Sequence, residues 1–188
     1  MARWPPDAQA RLTRAALELF AERGYEDTTV VDIVERAGLG KTTFFRYFKD
    51  KREVLFGGEE RDDLVGDAIA AAPASATPLE AVAAALDAAA RERFTAERRE
   101  PLTMRQQVID ANPQLREREA LKYLGLVASM TTALERRGVA ELQAAVSAEL
   151  GVLTLKLAFA RWIAAKKAED FCPLARRTLG EVRSSAGR

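Results

Sequence analysis

Three observations predict an all-α fold. Alanine is the commonest residue and glycine supplies only 11 of the 188 positions, a composition that favours helix. Apolar residues recur at helical spacing through most of the chain, and no segment shows the period of two that marks a half-buried strand. Helix start and stop signals punctuate the sequence throughout.

The first helix is predicted from about Asp7 to Arg23, where Leu12, Ala16, Leu19 and Phe20 form one apolar stripe and Gly24 closes it. Thr29 with Asp32 three residues on is a capping-box pattern, opening a short helix through Ile33, Val34 and Ala37 that Gly38 ends. After the turn at Leu39-Gly40, Lys41 to Phe48 make a second short helix, and Asp50 to Glu53 read as another capping box. This opens a fourth helix to about Ala72, interrupted by Gly57-Gly58. Thr77-Pro78-Leu79-Glu80 places N-cap, N1 proline and N3 glutamate for a helix to about Arg99. A short helix from Pro101, long ones over about 113–137 and 141–167, a last one near 173–182 and a frayed tail complete the plan.

Composition narrows the function. The chain has no histidine and one cysteine, Cys172, which removes Ser–His and Cys–His nucleophile pairs, His-ligated zinc and internal disulfides. No metal, no cofactor and no enzymatic activity are expected. The start Met-Ala-Arg-Trp-Pro-Pro lacks the apolar core of a signal peptide and no continuous 18-residue apolar run follows, so a cytoplasmic protein without a membrane partner is expected. The net charge of +1 announces nothing. Locally, though, Arg36, Lys41, Arg46, Lys49, Lys51 and Arg52 face only Asp50, six cations against one anion. Such a patch is either a solvated face or an anion-binding one.

Geometry favours the second reading. Two short helices joined by a glycine-containing turn cannot stand alone in water and form, with the first helix, a helix-turn-helix. Ile33, Ala37, Leu39, Phe44 and Phe48 supply the inner face. Lys41, Thr42, Phe45 and Arg46 share the outer one. A helix of this kind fits the DNA major groove, where Arg pairs with guanine and Thr or an aromatic touches a thymine methyl. Thr29 and Lys51, each near a helix start, are placed to meet phosphates.

These residues carry a resemblance. Arg11 to Phe56, above all Leu19-Phe-Ala-Glu-Arg-Gly-Tyr25, Thr28-Thr-Val, Ile33, Ala37-Gly-Leu39 and Thr43-Phe-Phe-Arg-Tyr-Phe48 with Lys51, resemble the N-terminal domain of TetR-family transcriptional regulators. The remainder is similar only in length and helix plan. The resemblance implies a helix-turn-helix DNA-binding domain over 1–51 and a helical ligand-binding and dimerisation domain over 52–188. It implies a homodimeric repressor that binds a palindromic double-stranded DNA operator and is released by a small-molecule effector. It also implies DNA contacts at Thr29, Lys41, Thr42, Thr43, Phe45, Arg46, Tyr47 and Lys51. Two positions depart from the family: Gly40 stands where Ser or Thr is common, and Phe45 where Tyr is common. Tyr47 is also readable as core, and Thr43 as a solvent-facing residue. The acidic run Glu59 to Asp63 reads as a solvated helix face.

In the second half, Leu121, Tyr123, Leu124, Leu126, Val127, Met130 and Leu134 exceed one stripe, and residues 150–163 are apolar nearly all round. A helix of that kind needs a second partner, and a two-plus-two bundle across a two-fold axis supplies one. Gly125 and Gly151 would allow close approach there. Phe94, Met104, Arg105, Val108, Tyr123, Met130, Phe159 and Trp162 are either the lining of a ligand cavity with one cation or ordinary core. Two rival readings remain: a ligand-independent DNA-binding regulator, and a helical ligand-binding protein without DNA function.

Overall fold

A computed structural model describes residues 8–57, 63–166 and 169–186. Among the described residues the regular structure is entirely helical: α1 (Ala8–Arg23), α2 (Val30–Ala37), α3 (Lys41–Tyr47), α4 (Glu53–Phe56), α5 (Leu64–Ala70), α6 (Pro78–Arg93), α7 (Arg99–Ala111), α8 (Pro113–Arg136), α9 (Glu141–Ala164) and α10 (Phe171–Ala186), with a 3-10 turn at Ala96–Arg98. The all-α expectation holds.

The boundaries follow local chemistry. Thr29 and Asp32 form a reciprocal capping box at α2, and Thr77 and Glu80 form another at α6. Gly38 ends α2 at φ +63°, a left-handed conformation that costs a side-chain-bearing residue about 1–2 kcal/mol. The fourth helix, expected to be interrupted at Gly57-Gly58, ends at Phe56, and a second short helix begins at Leu64. Gly57 is extended, and a Cβ there would collide with the Glu53 carbonyl oxygen. Gly58 and most of the acidic run, Glu59 to Asp62, lie outside the described residues. Asp63, the last of that run, caps α5 by accepting from the Gly66 amide at 3.0 Å. The last helix is longer than expected, starting at Phe171 and reaching Ala186.

The chain divides into two compact units, Met1–Arg61 with Glu100–Arg118, and Asp62–Arg99 with Glu119–Arg188. In the first, Leu12, Leu19, Ile33, Phe44, Phe48 and Phe56 form a core completed by Val108, Ile109 and Leu115 from α7 and α8. In the second, Val82, Leu86, Met130, Leu134, Ala144, Ala148 and Val152 form the core. Gly151 is buried there, with Val82 Cγ1 and Met130 Sδ at 2.6 and 3.2 Å from where a Cβ would stand. Its close approach is therefore to Val82 and Met130 of the same chain, where an approach across an interface between copies was expected. Gly125 has open space around it. Although the sequence has no unbroken apolar run of that length, α9 is long and apolar enough to cross a bilayer by length and composition, with a mean hydropathy of 1.4; half of that stretch is buried in this unit.

Candidate nucleic-acid interface

The candidate surface belongs to the first unit and begins with what holds α3 in place. Phe44 is fully buried and Phe48 is 2% exposed, their rings 5.4 Å apart. Burying these two rings sets the rotation of α3 and with it which side chains reach the surface. Lys41, Thr42, Phe45 and Arg46 are accordingly exposed together. Phe45 is 56% exposed although it is large and apolar. Its ring stands edge-on to Phe44, centroids 5.4 Å apart, so a buried neighbour orients it.

The same rotation separates Thr43 from the others. It is 4% exposed, so its side chain is packed inward rather than presented on the surface, and the solvent-facing reading fails with it. Tyr47 is 39% exposed. The Arg46 guanidinium lies 4.9 Å from its ring centroid and donates to its hydroxyl at 3.2 Å, which restrains two side chains of the outer face against each other.

Thr29 is exposed at the N-terminus of α2, but its donors are engaged. Its amide and its hydroxyl both donate to Asp32 Oδ2, at 2.8 and 2.6 Å. These hydrogen bonds from Thr29, chiefly that of the hydroxyl, hold the Asp32 carboxyl below its usual range. An incoming phosphate oxygen must exchange with that carboxylate.

The basic run is smaller in space than in sequence. Arg36 is spent on α1, donating to both carboxylate oxygens of Glu22 at 2.8 and 2.7 Å. Arg52 pairs with Asp50 at 2.7 Å. Lys51 Nζ donates to the carbonyls of Tyr25, Thr28 and Glu26, at 2.7, 3.1 and 3.2 Å. Lys41 and Arg46 remain on the outer face, joined by Lys49, exposed at the end of α3 and given no role by the sequence reading beyond its charge. Arg11, which the sequence did not single out, donates to the Ala37 carbonyl and anchors the C-terminus of α2 to α1.

The eight candidate pocket residues are divided between the two units. Met104 and Val108 pack into the core of the first unit, where Arg105 Nε donates to the Leu55 carbonyl at 2.6 Å and the guanidinium lies 5.0 Å from the Phe56 ring centroid. Phe94, Phe159 and Trp162 meet in the second unit around Phe171, which stacks on Phe94 at 4.2 Å. Met130 is fully buried in the other core cluster, with Tyr123 packed against it. A groove of about 700 Å³ in the second unit, bounded by Leu79, Leu142, Val146, Leu150 and Arg183 among others, contains none of the eight.

A buried helix-turn-helix presenting cationic, hydroxyl and aromatic side chains on its second helix is the architecture of a DNA-reading domain. Residues 12–56 match the model of the bacterial regulatory proteins of the tetR family. The HTH-type transcriptional regulator TcmR of Streptomyces glaucescens is 42% identical over 79 residues, 42% of this chain and 35% of that protein. The chain thus matches about a third of the length of that relative. Solved structures share the fold over nearly the whole chain. Thermus thermophilus FadR, a TetR-family transcriptional repressor in complex with lauroyl-CoA, is 23% identical with a TM-score of 0.55, covering 93% of each chain. The SmeT–triclosan complex is 18% identical with a TM-score of 0.62, covering 95% of this chain and 90% of that one.

Proposed function

We propose that this chain is a homodimeric, sequence-specific DNA-binding transcriptional regulator, acting in the cytoplasm as a repressor that a small-molecule effector releases from a palindromic operator. The observation that carries the DNA-binding part is the joint exposure of Lys41, Thr42, Phe45 and Arg46 on a helix whose opposite face is locked by Phe44 and Phe48. In this reading Arg46 pairs with a guanine edge and Phe45, which has no hydroxyl to give a phosphate, packs on a thymine methyl. Lys41, Thr42, Tyr47 and Thr29 meet backbone or base edges nearby. Residues 1–51 supply this DNA-binding function and 52–188 the assembly and effector functions.

Dimerisation is supported by the outer face of α9. Leu142, Val146, Leu153 and Leu157 are 78%, 49%, 43% and 39% exposed, and their spacing aligns them along one side of the helix. Four large aliphatic side chains in a row are an apolar patch of the kind that marks an association surface. The groove lined by Leu142 and Val146 continues that face and belongs to the same association.

Effector binding is supported by the lauroyl-CoA and triclosan held by the FadR and SmeT structures, which share this fold. The aromatic cluster of Phe94, Phe159 and Trp162 is the part of the second unit best suited to an apolar effector. One observation favours a ligand-independent regulator instead: Met130 and Trp162 are 0% and 1% exposed, already packed. A mobility-shift assay against the DNA flanking the chain's own gene, repeated across a metabolite library, tests the proposal. Compounds that release DNA must also raise the unfolding temperature, since a ligand stabilises by RT ln(1 + [L]/Kd). Absence of a shifted complex at low salt would overturn the DNA-binding reading, and a complex that no compound releases would select the ligand-independent one.

A further inference from the structure

We propose that Lys51 is a positioning residue for the DNA interface and not a phosphate ligand: its ammonium holds the loop between α1 and α2, and reaches DNA only through the helix start that this loop sets. The inference rests on the DNA-binding reading above.

A lysine ammonium carries three N–H donors. The structure gives Lys51 three main-chain acceptors, the carbonyls of Tyr25, Glu26 and Thr28, so every donor is spent inside the protein. The cation also sits 4.2 Å from the centroid of the Tyr25 ring, a favourable site for a positive charge. Burial pushes the Tyr25 phenol up to about 12, so the ring beneath the cation stays neutral. The contact with the Glu26 carbonyl is exposed, but those with Tyr25 and Thr28 are part-buried, and a phosphate oxygen that took either of these two donors would leave a carbonyl short of a partner at a cost.

The carbonyls belong to the segment that decides where α2 begins. It leaves α1 through Gly24 at φ +90° and enters α2 at the N-cap Thr29. Thr28, 1% exposed, ties the segment back to α1 by donating from its hydroxyl to the Gly24 carbonyl at 2.8 Å. Lys51 gathers the remaining carbonyls from the other side. The orientation of Thr29 and of the first turn of α2 is therefore set by a residue that lies 22 positions further along the chain.

The two roles differ in what salt and a conservative substitution do. A phosphate contact releases counterions and contributes about −0.9 to the slope of log affinity against log salt. Arginine can make such a contact, but its flat fork does not reproduce a compact three-carbonyl cage. Affinities of Lys51→Met and Lys51→Arg for a duplex enriched by the wild type from a random library should both fall several-fold. The salt slope should stay at the wild-type value, and amide exchange at Thr28 and Thr29 should accelerate. Rescue by Lys51→Arg, or a slope smaller in magnitude by about two for the dimer, one per copy, with exchange unchanged, would overturn the proposal.

Should either variant fail to fold, the wild type still decides the matter. The 15N resonance of Lys51 Nζ should be protected from solvent in the free protein and unmoved by the duplex. An unprotected signal, or a coupling to DNA phosphorus, would overturn the proposal. Failure of the library to enrich any sequence would instead contradict DNA recognition itself, while the free-protein measurement would still report on the cage.

Discussion

Replacing a single thymine by uracil in each half of the bound DNA should cost this protein affinity, and the loss should vanish in Phe45→Ala. Phe45 is 56% exposed on the outer face of α3 and is steadied edge-on by a fully buried Phe44. Having no hydroxyl, it can contribute to base reading only through apolar contact. A methyl group withdrawn from water contributes about 0.8 kcal/mol. Two half-sites then give about 1.6 kcal/mol, or roughly fifteenfold in affinity. Fluorescence anisotropy with synthetic duplexes, scanning each thymine in turn at fixed salt, reads this directly. Wild type should show one sensitive position per half-site, and Phe45→Ala should bind the thymine and uracil duplexes equally. The reasoning fails if no thymine is sensitive, or if Phe45→Ala keeps the same sensitivity.

Other consequences are equally open to measurement. Arg46→Ala should cost about 1–3 kcal/mol per half-site and relax preference at one position in each; equal weakening on random DNA would contradict base reading. Leu153→Glu should remove up to about 2 kcal/mol of burial per copy and place like charges across the association face, leaving a folded monomer by sedimentation where the wild type is a dimer. An unchanged dimer would move the interface elsewhere. Asp87 is 9% exposed and accepts from Arg176 at 2.5 and 3.0 Å and from Cys172 Sγ at 3.0 Å. Burial works to raise its carboxyl, but the hydrogen bonds from Arg176 and Cys172 prevail and hold it below the ordinary 3.8. A lowered carboxylate stabilises the fold above its unfolded value and loses that contribution as pH falls beneath it. The stability advantage of wild type over Asp87→Asn should therefore shrink below about pH 4; an advantage that stays constant with pH would refute the assignment.

What the sequence showed and what it concealed divide by range. The capping boxes at Thr29 and Thr77 and the left-handed turn at Gly38 are interactions within a few residues, so spacing alone revealed them. Burial of Phe44 and Phe48 followed from periodicity. The burial of Thr43 did not, because the rotation of a two-turn helix is fixed by its neighbours. Arg36 with Glu22, and Lys51 with Tyr25 and Thr28, are brought together only by the packing of α1, α2 and the α3–α4 segment. For the same reason a run of six cations became a surface carried by Lys41, Arg46 and Lys49. The contact of Arg105 with the Leu55 carbonyl, 50 positions away in sequence, is likewise a product of packing.

The central claim is that two copies of this helix-turn-helix read DNA sequence. Selection from a randomised duplex library by the full chain at one defined salt concentration tests it most directly. Two recognition helices must enter successive major grooves, about 34–36 Å apart. The recovered sequences should therefore converge on an inverted repeat whose half-sites are separated by one helical turn. A recovered pool indistinguishable from the input would contradict the claim.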